Sequence, residues 1–136
     1  MTAARYMLDS DTCIYLRRKR PAEVVRRFAT LEPGEAVISV IAYGELRYGA
    51  EKHGVRRSLE TLNELVALVP VEPLPALAAA VYGEIRAVLE RRGETIGNND
   101  LWIAAHALVA GLTLVTNNER EFRRVPGLSV ENWVAL

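Results

Sequence analysis

The chain has 136 residues, half of them hydrophobic, and its 17 basic and 17 acidic side chains cancel. That length suits one domain, 1–136, with a core that needs no covalent staple. Zero net charge excludes a global pull toward nucleic acid and leaves only local patches. The lone cysteine, Cys13, excludes an internal disulfide and a cysteine zinc cluster.

The opening MTAARYMLD lacks the apolar region of a secretory leader. No apolar run reaches the roughly 18 residues of a membrane span, because Asp100 and His106 interrupt the longest one. A soluble, cytoplasmic protein is the expectation. Tyr6-Met7-Leu8 reads as a short buried strand that stops at Asp9. Thr12 to Arg18 reads as a helix with Asp11 as its N-cap. Pro21 opens a second helix to Leu31, with Val24, Val25, Phe28 and Leu31 at helical spacing.

After the Pro33-Gly34 turn, Ala36 to Val40 is apolar and β-branched, a second strand. Ile41 to Lys52 follows as a helix carrying Glu45, closed by His53-Gly54. Arg56 to Leu68 is amphipathic. Val69 to Val71 is a weak strand between prolines. Pro75 to Arg92 is a long Ala-rich helix ended by Gly93. Asn99 to Ala110 is apolar on nearly all sides and so buried. Leu112 to Thr116 and Ser129 to Glu131 complete the strands.

Strands separated by helices predict parallel βαβ crossovers with helices on both faces of the sheet. Ligands in such sheets bind beyond the carboxyl ends of the strands. Asp9 follows the first strand, Glu45 lies shortly after the second, and Asn118 follows the fourth. Asp100 heads the helix that feeds the fourth strand. The layout therefore gathers Asp9, Glu45, Asp100 and Asn118 at one end of the sheet. Hard oxygen donors converging in a cleft suit Mg²⁺, with Mn²⁺ as a substitute. Like charges held close would otherwise drive one of them to take up a proton. A divalent ion relieves that repulsion and can activate a water and stabilise charge on a phosphoryl oxygen, the chemistry of phosphodiester hydrolysis.

Each residue alone also has an ordinary reading. Asp100 suits the first turn of any helix, where the dipole favours an acid by about 0.3–1 kcal/mol. Glu45 reads as an exposed helical acid, Asn118 as a turn residue or the N-cap of 119–122, and Asp9 as a loop acid. Their joint placement carries the metal hypothesis. His53 and His106 share no zinc spacing; His53 suits a helix C-terminus, and His106 a satisfied core or interface position. Arg17 to Arg27 holds six basic residues against Glu23. That is either a solvated helix face or a rim for RNA phosphates, with Arg17, Arg18 and Arg20 as contacts. Tyr15, Tyr43 and Tyr48 suit either base stacking or packing.

Three blocks, MLDSDTCIYLRR, ISVIAYGELRYGA and IGNNDLWIAAHALVAGLTLVTNNEREFRRVPGLSVENW, resemble the VapC-type PIN-domain ribonuclease toxins in the family's order and over nearly the whole chain. The resemblance implies a three-layer α/β/α sandwich around a parallel sheet of four or five strands. It implies an Mg²⁺-dependent endoribonuclease, usually a homodimer, blocked by a VapB-type antitoxin that also mediates operator DNA binding. Asp9, Glu45 and Asp100 match the family's first three acids. Asn118 falls where many members have a fourth, Asp11 stands where the family often has Asn, and Thr116 matches a hydroxyl of the last motif. The subgroup resembled implies tRNA cleavage, in the anticodon loop of initiator tRNA. Two alternatives stay open: a non-catalytic protein-binding module of the same fold, and an aspartyl-nucleophile phosphatase suggested by Asp9-Ser10-Asp11.

Overall fold

The computed structural model describes residues 3–134. Five strands form one sheet: β1 (Tyr6–Leu8), β2 (Ala36–Ser39), β3 (Val71–Glu72), β4 (Thr113–Val115) and β5 (Val130–Glu131), in the order β3-β2-β1-β4-β5. Every pairing is parallel, with Met7 opposite both Val37 and Leu114. Met7, Leu8, Ile38, Leu114 and Val115 are fully buried. Such continuous apolar runs are what central parallel strands need, since both faces are covered.

Seven helices are described: α1 (Ser10–Arg18), α2 (Ala22–Ala29), α3 (Val40–His53), α4 (Arg56–Leu68), α5 (Ala78–Arg92), α6 (Asn98–Ala110) and α7 (Glu119–Phe122). With the sheet they make the expected α/β/α sandwich. In α6 the run Ile103 to Ala107 is buried without interruption; small alanines let this helix lie close against its neighbours. Gly111 ends α6 with φ of 68°, a left-handed conformation that costs little without a Cβ.

Three expectations need correction. The first helix starts at Ser10, not Thr12, and its cap is Asp9: the Asp9 carboxylate accepts from Ser10 N–H at 2.8 Å. Asp11 lies inside the first turn. The helix expected from Pro75 begins at Ala78, after a turn. β3 is Val71–Glu72 instead of 69–71, because its register is set by pairing with Ile38 and Ser39.

All strands run the same way, so their carboxyl ends share one edge. β1 delivers Asp9 there, β2 delivers the start of α3, and β4 delivers Thr116. Among the described residues no helix is long and apolar enough to cross a membrane.

Candidate metal and nuclease site

Asp9 is 6% exposed at the β1–α1 junction. One carboxylate oxygen takes the Ser10 N–H, and the other takes the Thr116 hydroxyl at 2.8 Å. The Thr116 hydroxyl in turn accepts from Asn118 N–H at 2.9 Å. Its single proton is therefore committed to the acids, Asp9 at 2.8 Å or Asp11 at 3.4 Å. Asp11 also accepts Asn117 N–H at 3.0 Å. The strand-end hydroxyl thus orients two carboxylates, and the β4–α7 loop is stitched to the first turn of α1.

Glu45 projects from the second turn of α3 and is held from two sides. Ser10 donates its hydroxyl to Oε1 at 3.3 Å, and the Asn99 amide donates to Oε2 at 3.4 Å. Asp100 sits in the first turn of α6, half-buried, with Gly97, Asn98, Asn99 and Glu45 around an open depression of about 400 Å³. Its carboxyl is hydrogen-bonded to Glu121 of α7.

The electrostatics record this crowding. Burial, then the charge of Asp11, push Asp9 up to about 6. Burial, then Asp9, the Glu121 contact and Glu45, push Asp100 up to about 7. Glu45 acts on both carboxyls, so the three acids from α1, α3 and α6 feel one another. The set is all oxygen and acidic, the donor chemistry of a hard divalent ion. Among the described residues, no three His, Cys, Asp or Glu side chains are already drawn in around a common metal position. The acids are gathered and oriented, not closed into a cage.

A buried tether joins two of the elements that carry these acids. His106, six residues along α6 from Asp100, places Nδ1 2.8 Å from the Ser39 hydroxyl, and both side chains are buried. Ser39 is the N-cap of α3, its oxygen accepting Ile41 N–H at 3.1 Å. Burial pulls the His106 pKa down, and the ring nitrogen and the serine hydroxyl share one buried hydrogen bond.

The PIN-domain signature matches residues 6–128. Ribonuclease VapC2 of Haemophilus influenzae is 41% identical over 131 residues, covering 96% of this chain and 98% of the relative. The tRNA(fMet)-specific endonuclease VapC of Shigella flexneri is 43% identical over 130 residues, covering 95% and 98%. The chain belongs to the PIN-domain family, among the VapC ribonucleases. The VapC chain fold is also seen in the crystal structure of DNA-bound VapBC from Salmonella typhimurium, with a TM-score of 0.87 at 39% identity over 96% of this chain and 98% of that one.

In this PIN domain Asp9, Asp11, Glu45, Asp100 and Thr116 lie toward the carboxyl end of the sheet; the layout rule had named Asp9, Glu45, Asp100 and Asn118. Asn118 is at the rim: its side chain donates to Glu121 Oε2 at 3.0 Å, and it makes no side-chain cap to α7. Glu121 was missed from sequence. In EREF it looks like one more surface acid, and only its three-residue offset from Asn118 hinted that one loop could present both. Ser10 and Asn99, the donors to Glu45, were missed too, because small polar residues at helix starts read as caps. Of the basic residues, Arg17 is taken up by α4, its Nη2 donating to Ser58 O at 3.1 Å and Thr61 Oγ1 at 3.0 Å. Arg18 and Arg20 stay exposed.

Proposed function

We propose that this VapC chain is a divalent-metal-dependent endoribonuclease whose ion, Mg²⁺ or Mn²⁺, is held by Asp9, Glu45, Asp100 and Glu121. Asp11, Thr116 and Asn118 serve as auxiliaries. The carrying observation is that Asp9 and Glu45 both bear on the charge of Asp100, and Glu45 on that of Asp9, at carboxyls that burial has already pushed up to about 7 and about 6. Folding has forced together acids from distant parts of the chain, and a dication is the partner that would stabilise them ionised. When bound, such an ion supplies Lewis acidity at a phosphoryl oxygen and lowers the pKa of a water.

The chain's own residues do the rest. Ser10 N–H and Thr116 aim the Asp9 carboxylate, Ser10 and Asn99 aim Glu45, and Asn118 aims Glu121. Without a cation, Asp100, pushed up to about 7, is partly protonated near neutrality. RNA is the substrate, with tRNA favoured by the tRNA(fMet)-specific endonuclease activity of the Shigella relative. A VapB-type antitoxin is the partner, as in the VapBC assemblies, with operator DNA reached through that complex. A homodimer and a cytoplasmic location complete the reading.

The phosphatase alternative lacks its lysine. Lys19 and Lys52 are the only lysines, and neither is among the charges acting on Asp9. The test is cleavage of total tRNA by purified protein, with end sequencing of the fragments. Wild type with Mg²⁺ should cut at defined positions. Asp100→Asn, and wild type in EDTA, should not. Equal cutting by Asp100→Asn would sink the proposal; binding of antitoxin without any cutting would favour the non-catalytic module.

A further inference from the structure

We propose that the cleft bounded by Tyr15, Arg18, Arg20 and Pro21 is an RNA subsite for a nucleotide flanking the scissile phosphate, with the base against the Tyr15 ring and the phosphate between the two guanidiniums. This rests on the endoribonuclease reading and adds to it how the substrate strand leaves the acidic site. The cleft is open and encloses about 290 Å³.

Arg18, Lys19 and Arg20 are exposed at the end of α1. A cation at a helix C-terminus is favoured by the dipole, which explains a basic residue there. It does not explain two guanidiniums beside an aromatic ring in one cleft. The backbone arranges that pairing: Lys19 is left-handed, with φ of 59°, and closes α1 onto Leu16 and Tyr15 carbonyls. The turn sends Arg18 and Arg20 to the Tyr15 cleft, while Lys19 joins Arg17 in a different groove.

The cleft is wired to the acids. The Tyr15 hydroxyl accepts from the Asn117 amide at 3.0 Å, and Asn117 N–H binds Asp11. Arg18 lies nine residues beyond Asp9, about 13 Å along the helix axis. It is therefore placed for RNA beyond the reacting phosphate, not for that phosphate itself. An aromatic face with flanking guanidiniums is how single-stranded RNA is gripped without base reading.

The probe is a fluorescein-labelled single-stranded 12-mer RNA, titrated by anisotropy against the Asp100→Asn full chain between 50 and 200 mM KCl. Arg18→Ala/Arg20→Ala should weaken binding and flatten the log–log salt slope by about 0.7, one phosphate on a single strand. Tyr15→Leu should weaken binding about 5- to 100-fold with the slope unchanged, and Tyr15→Phe should restore it. Arg91→Ala/Arg92→Ala removes the same charge from the last turn of α5 and should leave the slope as it is. With Asp100 restored, the Arg18/Arg20 variant should raise KM on total tRNA and keep kcat. An unchanged slope, an equal loss from the Arg91/Arg92 control, or a fall in kcat at constant KM overturns the subsite. So does loss of antitoxin binding with RNA affinity intact, which makes the surface a protein-docking face. Binding that depends on these arginines in a wild-type chain that cuts no RNA would sink the nuclease reading and leave the subsite standing.

Discussion

Replacing Asp9 with Asn should make the metal-free protein more stable at alkaline pH while destroying its activity. Asp9 is raised from 3.8 to about 6, chiefly by burial and then by Asp11. A shift of about two units corresponds to roughly 3 kcal/mol between the protonated and ionised forms. The folded pKa exceeds the unfolded one, so the stabilising contribution is complete below about 4 and is lost as pH rises through about 6. At pH 8 the metal-free wild type carries the full penalty. Asn keeps an oxygen for Ser10 N–H, and its amide can donate to Thr116, whose hydroxyl then turns to Asp11. Some hydrogen-bond strength is lost in that exchange, so the net gain should be about 1–3 kcal/mol. For a chain of this size that is a rise in Tm of roughly 3–12 °C. Thermal melts in EDTA at pH 8 and pH 4.5 read it directly: the gain should be large at pH 8 and near zero at pH 4.5. Saturating Mg²⁺ should close the gap by stabilising wild type alone, by about 2.7 kcal/mol at one hundred times Kd. An Asp9→Asn protein that melts below wild type at pH 8 in EDTA, or a gain independent of pH, would refute the electrostatic account.

Glu121→Gln removes a neighbouring charge from Asp100, so the Asp100 pKa should fall from about 7, read by carboxyl ¹³C NMR titration. Cleavage should drop about 10- to 100-fold, as for a lost metal-site support. His106→Leu strands the buried Ser39 hydroxyl and should cost about 1–3 kcal/mol in urea unfolding; His106→Asn, with a polar atom near the Nδ1 position, should recover part of it. Arg17→Met should cost about 1–2 kcal/mol by releasing α1 from α4, with no change in the salt slope of RNA binding. A shallower slope would show that Arg17 reaches RNA after all.

Much of the architecture was legible because local signals agreed. Short apolar runs marked β1, β2 and β4, and glycines at 54, 93 and 111 closed three helices where expected. The errors fall where two residues had equal local claims. Asp9 and Asp11 are both good caps, and a nine-residue helix has too few turns for periodicity to choose between them. β3 is two residues long and has no pattern of its own; its position comes from β2. Arg17 belongs to a run of cations that looks uniform in sequence, yet one of them meets Ser58 and Thr61 and its neighbours meet solvent.

By itself the sequence determined the order of the elements and the end of the sheet to which Asp9, Glu45, Asp100 and Asn118 belong. Those follow from periodicity, caps and the directional rule of parallel sheets, all local or topological. Only the tertiary structure decided that Glu121 leans onto Asp100, that His106 locks to the cap of α3, and that Arg18 and Arg20 part company with Arg17 and Lys19. The reason is physical: charge repulsion and burial depend on through-space distance, and residues far apart in the chain perturb one another only once packing has brought their helices together.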